Sequence, residues 1–197
     1  MEELKEIKPD SLASEGEEYI YDYLSNKFTF SWQKETKPLK NDSKSYRKAD
    51  FYLEKYGLYV EFFGYWNVSE EAKEGYREKK RVYDANNLPC VYIYPENLGI
   101  LPFLFKRRAI EALRKNGKLK KLKKYRWKLF FDFIFEEWVR PKTFLILLGL
   151  GFFISTGIFL FYWGAAALLY VIYLVYKLYK AYYYFFNELG KDRKKVY

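Results

Sequence analysis

Up to about residue 140 the apolar residues come in short bursts between turn residues and charges, and beyond it charge nearly vanishes. Within the first part the pattern predicts a series of elements. Glu17 to Lys27 places Tyr19, Ile20, Tyr23 and Leu24 on one side of a helix. Phe28 to Gln33 alternates as a strand does, and a polar loop from Lys34 to Tyr46 leads to a second strand, Ala49 to Leu53. Tyr56-Gly57 turns the chain into Leu58 to Phe63, so the second and third strands are expected to pair as a hairpin. Ser69 to Asn86 reads as a charged helix, with Glu70 and Glu71 in its first turn where the helix dipole favours them. Asn87-Leu88-Pro89 ends it, and Cys90 to Tyr94 reads as a buried strand parallel to its predecessor. The predicted fold class is α/β, an αβββαβ core with a mixed sheet.

The second part reads differently. Residues 106–140 form a basic amphipathic linker: Lys106 to Lys128 holds twelve basic residues and one acid, Glu111, with Ile110, Leu113, Leu119 and Leu122 interspersed. Residues 141–187 predict an α-helical membrane hairpin. From Thr143 to Trp163 no side chain ionises except tyrosine, and about 20 residues at 1.5 Å each match a hydrocarbon slab of about 30 Å. A second run, 165–186, carries Lys177 and Lys180 near its tyrosine-rich end, where lysines snorkel and tyrosines form an interfacial belt. Tyr162 to Gly164 is the expected turn. Both flanks are basic, and 188–197 is a basic tail, so the head and both termini are expected on the cytoplasmic side of an inner membrane. The alternative is a helical hairpin buried in a soluble core.

The formal charge of +10 has two candidate partners, the phosphates of a nucleic acid and anionic membrane lipids. Residue usage narrows the chemistry. There is no histidine, which removes Ser-His-Asp and Cys-His catalysis and histidine-bound zinc, and the one cysteine, Cys90, reads as strand core. Catalysis has to use carboxylates, lysine, tyrosine or a hard metal ion. Met1 to Asp10 is charged and lacks the apolar stretch of a signal peptide.

Asp50 and Glu61 fall on neighbouring positions of the predicted hairpin, because the turn near Tyr56-Gly57 lies midway between them. Two carboxylates on adjacent strands are hard oxygen ligands for Mg²⁺, with Mn²⁺ as a substitute, and such an ion takes substrate phosphate oxygens in its remaining positions. The competing reading is that each carboxylate solvates an edge strand.

These residues belong to a longer pattern. Ser14-x-Gly16-Glu17-x-x-Ile20-x-x-x-Leu24, Ala49-Asp50-Phe51-Tyr52-Leu53, Tyr59-Val60-Glu61-Phe62-Phe63-Gly64, Tyr76-x-x-x-Lys80-x-x-Tyr83 and Val91-Tyr92-Ile93-Tyr94-Pro95 follow one another in order. Together they resemble the restriction-endonuclease-like PD-(D/E)XK nuclease superfamily, in particular its small domains related to very-short-patch-repair endonucleases and to domains fused to helicases. The resemblance covers about 14–105, with 1–13 as an N-terminal extension. It implies that Asp50 and Glu61 bind the metal, that Glu17 supports it directly or through water, and that the carbonyl of Phe62 completes the shell. The pattern departs where a lysine is expected two residues after Glu61 and Phe63 stands instead. Some relatives carry that lysine on the following helix, where Lys80 shares a face with Tyr76 and Tyr83, and where it would orient the attacking water and stabilise charge on the phosphate. Lys79 is its neighbour, about 100° away around the helix. Gln33, Tyr65, Trp66 and Lys79 are the candidate nucleic-acid contacts, with Gln33 also placed to hold water or Lys80. Tyr65 and Trp66 either stack on an unpaired base or cap the core.

Two functions follow. One is a membrane-anchored, Mg²⁺-dependent DNA endonuclease, able to oligomerise through the hairpin or the head. The other is a catalytically inactive nuclease-like domain of a membrane protein that binds nucleic acid or a protein partner.

Overall fold

The computed structural model describes residues 14–36, 38–138 and 160–189. The first helix, α1 (Glu15–Ser25), starts where Ser14 Oγ accepts the amide hydrogen of Glu17 at 3.3 Å, and Glu15, Glu17 and Glu18 fill its first turn. Its buried stripe is Ile20, Tyr21 and Leu24.

Four strands make one mixed sheet in the order β1 (Ser31–Glu35), β2 (Lys48–Leu53), β3 (Leu58–Phe62) and β4 (Cys90–Ile93). β1 and β2 are antiparallel, as are β2 and β3, while β3 and β4 run parallel across the intervening helix α2 (Glu70–Ala85). The hairpin between β2 and β3 turns at Gly57, whose φ of 58° suits a residue without Cβ. The first strand begins three residues later than its alternation suggests. Phe28 and Phe30 are spent on the core instead, with Phe28 against Tyr56 and Phe105 and Phe30 against Phe51.

Strand alternation sorts the two faces of the sheet. Ala49, Phe51 and Leu53 of β2 and Leu58, Val60 and Phe62 of β3 point one way and are buried. Aromatic contacts place α1 and α3 (Leu101–Lys115) on that side: Tyr21 meets Phe30, and Phe105 meets Tyr23 and Phe28. A Cβ built on Gly16 would lie 2.3 Å from the Phe62 ring, so α1 approaches β3 closely only because residue 16 is glycine. The opposite face carries Asp50, Tyr52, Tyr59 and Glu61 and receives α2.

Two expectations need correction here. Residues 106–115 are not linker: they continue α3, with Phe105, Ala109, Ile110 and Leu113 buried while the basic residues take the other side, and the compact unit extends to Leu122. The apolar residues scattered among the lysines are a core stripe at helical spacing. The expected turn at 162–164 is also absent, because α5 (Leu160–Tyr183) runs straight through it into Gly164-Ala165-Ala166-Ala167, whose three alanines are the strongest helix formers.

A second compact unit starts at Lys123, within α4 (Leu119–Trp138). In it Trp127 and Phe130 meet Phe186, with the Trp127 and Phe186 rings 5.0 Å apart, and the Arg126 guanidinium donates to the Phe186 carbonyl at 2.7 Å. Among the described residues no helix is long and apolar enough to cross a membrane. The second expected span, 165–186, is mostly helical but is diluted by Lys177, Lys180 and its tyrosines; nearly all of the first, 143–163, lies outside the described residues.

Candidate functional site

The pairs Phe51 with Val60 and Tyr52 with Tyr59, continued by one step, set Asp50 opposite Glu61 on the face toward α2. Asp50 Oδ2 accepts the amide hydrogen of Phe62 at 2.7 Å. Glu61 is 1% exposed, and both of its oxygens are engaged: Oε2 receives Lys79 Nζ at 2.5 Å, and Oε1 receives the Tyr83 hydroxyl at 2.8 Å. Lys79 Nζ donates a further hydrogen bond to the Lys48 carbonyl at 2.9 Å.

Burial is the main force on the charges. It raises the Asp50 carboxyl above its ordinary range, against the pull of the Lys79 ammonium and of the Phe62 amide. Glu61 is pushed up to about 8, first by burial and then by the Asp50 charge, with Lys79 and Tyr83 opposing. Burial and the Glu61 charge also raise the Tyr83 hydroxyl. Burial thus shifts both carboxyls toward their protonated forms, and the positive charge of Lys79 beside them opposes that shift.

The lysine at this site is Lys79, not Lys80. Tyr76 and Tyr83 mark the face of α2 turned to the sheet, and Lys79 and Lys80 flank that line on opposite sides, about 60° and 40° from Tyr76. Both share a helical face with the tyrosines, so spacing alone does not separate them. The packing does: Lys79 leans toward β2 and Glu61, whereas Lys80 lies 5.4 Å over the Tyr92 ring, on the β4 side.

Phe63, in the place where the resemblance expects lysine, is wholly buried. It stacks on Tyr76 at 4.3 Å and meets Trp66, Tyr92 and Tyr94. An ammonium there would be buried among rings, so the cation reaches Glu61 from the helix instead. Trp66 belongs to the same cluster, edge-on to Tyr94 at 5.0 Å, and is half-buried. Tyr65 is 64% exposed and its amide donates to the Tyr76 hydroxyl at 3.3 Å.

Glu17 does not join the acidic pair. It lines a cavity of about 730 Å³ with Tyr19, Phe62, Tyr65 and Tyr76, and among the described residues no group of three or more Asp, Glu, Cys or His is gathered closely enough to hold an ion. The reason is that α1 lies on the Phe62 side of the sheet, across it from Asp50 and Glu61. Of Phe62, it is the amide N–H that engages the pair. Gln33 sits on β1 between the pairs Trp32 with Phe51 and Lys34 with Ala49, beside Asp50, and its φ of 45° is uncommon for a residue with a side chain.

The sequence reading missed a further group. Lys79 lines a second cavity, of about 590 Å³, with Ser43, Lys44, Ser45, Tyr46, Arg47 and Lys48. The run Ser43-Lys44-Ser45-x-Arg47-Lys48 inside the polar loop was the available signal. Arg47 is already committed there, donating to Asp42 at 2.6 Å and to Glu78 at 3.1 Å.

Comparison with family models, characterised proteins and solved structures finds no match to this chain.

Proposed function

We propose that the N-terminal unit is a metal-assisted endonuclease of the PD-(D/E)XK type acting on DNA, with Lys79 in the role of the missing strand lysine. The observation that carries this reading is the Asp50, Glu61 and Lys79 constellation, with Glu61 buried and its neighbours half-buried, on two adjacent strands and the following helix. The αβββαβ order and the mixed sheet support it as well.

The donor set suits a hard divalent ion. Mg²⁺ is commonly held by one or two carboxylates with water and substrate phosphate filling its other positions, and two acids raised by burial, Glu61 also by the Asp50 charge, are relieved by a cation. Asp50 and Glu61 would hold it, and when bound it would activate water and neutralise charge on the phosphate. Lys79 moves between two partners in this scheme. Drawn away from Glu61, its ammonium is placed to stabilise charge growing on a scissile phosphate. The Phe62 amide fixes the Asp50 carboxylate, and Tyr83 fixes Glu61, so that neither has to be ordered when substrate arrives.

Plasmid and oligonucleotide cleavage in Mg²⁺, Mn²⁺ or EDTA is the test, with Asp50→Ala beside the wild type. The reading requires metal-dependent cutting that Asp50→Ala removes. Cleavage insensitive to EDTA and to that substitution sinks it. A second reading, a nuclease-like binding module without activity, is favoured by the engagement of both Glu61 oxygens. It predicts nucleic-acid binding with no cutting under any metal.

The C-terminal unit is proposed to hold the protein at a cytoplasmic membrane face. Supporting this, Leu168, Leu169, Ile172 and Val175 of α5 are each more than half exposed, and Tyr173, Tyr176 and Tyr179 lie among them. A helix apolar on all sides has no stable place in water.

A further inference from the structure

The two cavities that flank the Asp50, Glu61 and Lys79 constellation have opposite chemistry. The larger is walled by Tyr19, Phe62, Tyr65 and Tyr76; among the described residues its charged lining is acidic, Glu15 and Glu17, with no lysine or arginine. The smaller is lined by Lys44, Arg47, Lys48 and Lys79 with the hydroxyl residues Ser43, Ser45 and Tyr46, and no acid lines it. Each touches the constellation. Lys79, bonded to Glu61, lines the cationic cavity, while Phe62, whose amide holds Asp50, lines the aromatic one. Tyr76, one turn of helix before Lys79, lines the aromatic cavity too.

A phosphate is repelled by the first cavity and attracted by the second, whereas a flat uncharged ring suits the first. A duplex cannot place a base in a recess of this kind without unstacking it, which costs a few kcal/mol. From this we infer that the substrate is a nucleic-acid strand with an unstacked nucleotide, a single strand or a flap rather than intact duplex. Its base enters the Tyr19, Phe62 and Tyr65 cavity, and its backbone phosphate rests against Lys44 and Lys48. Volumes of about 730 and 590 Å³ fall in the range of small-molecule sites, large enough for a nucleoside and a phosphate group. The carboxylates of Glu15 and Glu17 accept hydrogen bonds, so bases carrying an exocyclic amino group are preferred over thymine. This inference rests on the nuclease reading for its placement of the scissile bond, but not for binding.

The test separates the two. Fluorescence anisotropy of the full-length protein in EDTA measures binding to a labelled 12-nucleotide single strand, the matching duplex and a flapped duplex; cleavage of each is then followed in Mn²⁺. Tyr19 and Tyr65 are 48% and 64% exposed, so their alanine variants keep the fold. Tyr65→Ala is expected to weaken single-strand and flap binding about tenfold, the loss of one base stack, and to leave duplex binding unchanged. Lys44→Ala with Lys48→Ala is expected to weaken all three and to lower the salt dependence of single-strand binding by about one to two units of slope. Duplex binding as tight as single strand, with no response to Tyr65→Ala or Tyr19→Ala, overturns the inference even if the duplex is cut. So does failure to bind any of the three. Tyr65-dependent strand binding without cleavage in any metal retains the inference and removes the nuclease reading.

Discussion

The two units treat similar side chains in opposite ways. In the first, Ile20, Leu24, Phe51, Val60, Phe105 and Leu113 are fully buried, because strand alternation and narrow helical stripes give each apolar residue one direction to face. In the second, α5 exposes Leu168, Leu169, Ile172 and Val175 beside its lysines and tyrosines, and among the described residues burial is found at Ala181 near its end and at Phe185 and Leu189 beyond it. α5 differs from the helices of the first unit in both hydrophobicity and periodicity. A patterned segment finishes its own core, whereas Leu168, Leu169, Ile172 and Val175 of α5 stay exposed.

The polar groups follow the same contrast. The sheet unit buries Glu61 and Arg47 and provides each with partners, whereas the lysines of α5 stay at an exposed end. The strongest test of this difference is catalytic. Lys79→Ala should lower metal-dependent cleavage by about a hundredfold or more, in the range expected for loss of a transition-state cation, while Lys80→Ala should leave the rate within about a factor of two. Single-turnover cleavage decides it, and equal losses for the two variants would show that α2 is rotated from the phase described.

A structural counterpart comes next. The Arg47 and Asp42 side chains are almost fully covered and 2.6 Å apart, so Arg47→Ala leaves a buried carboxylate and should cost about 3 kcal/mol by denaturant unfolding. The Arg47 hydrogen bond, first among the causes, holds Asp42 below the usual carboxylate range. Its folded-state pKa is depressed, so its stabilisation is present above the unfolded value near 4 and is lost as pH falls through the folded value. The wild-type advantage over Arg47→Ala should narrow on acidification.

Glu61 has the opposite sign. Its pKa of about 8 exceeds the ordinary 4.5, so the folded protein holds a proton that the unfolded chain releases between those values. Without metal, stability should fall as pH rises from about 4.5 to 8, and Glu61→Gln should flatten that slope. Under the proposed function a metal ion held by Glu61 would displace this proton, so Mn²⁺ affinity by calorimetry should rise over the same window. A pH-independent affinity breaks the assignment.

The smallest effect falls in the second unit. Ile172→Glu replaces a side chain that is 55% exposed, so it should change unfolding free energy by no more than about 0.5 kcal/mol, yet it should abolish flotation with anionic vesicles. Loss of stability without loss of flotation would assign α5 to a protein core.

Much of the sheet unit was legible along the chain. The hairpin, the parallel crossover and the pairing of Asp50 with Glu61 follow from period-two alternation and one turn, both local properties. The helical start at Ser69 was legible from its cap within three residues, whereas the first helix begins at Glu15 behind Ser14, two residues ahead of the expected Glu17. The choice between Lys79 and Lys80 was not local, since both sit within a turn of the buried tyrosine line. Nor was the fate of Glu17, which depends on which side of the sheet α1 takes.

Order and alternation along the chain thus determined the mixed sheet, its parallel crossover and the acid pair, because neighbouring strands bring residues together through backbone geometry alone. Only the tertiary structure decided that Lys79 serves Glu61, that Phe63 closes an aromatic cluster, that α3 completes the core and that a cavity with acidic residues lies at Phe62 and one with basic residues at Lys79. Those outcomes depend on how a helix is turned and on which side of the sheet it lies, quantities fixed by packing between residues far apart in the chain.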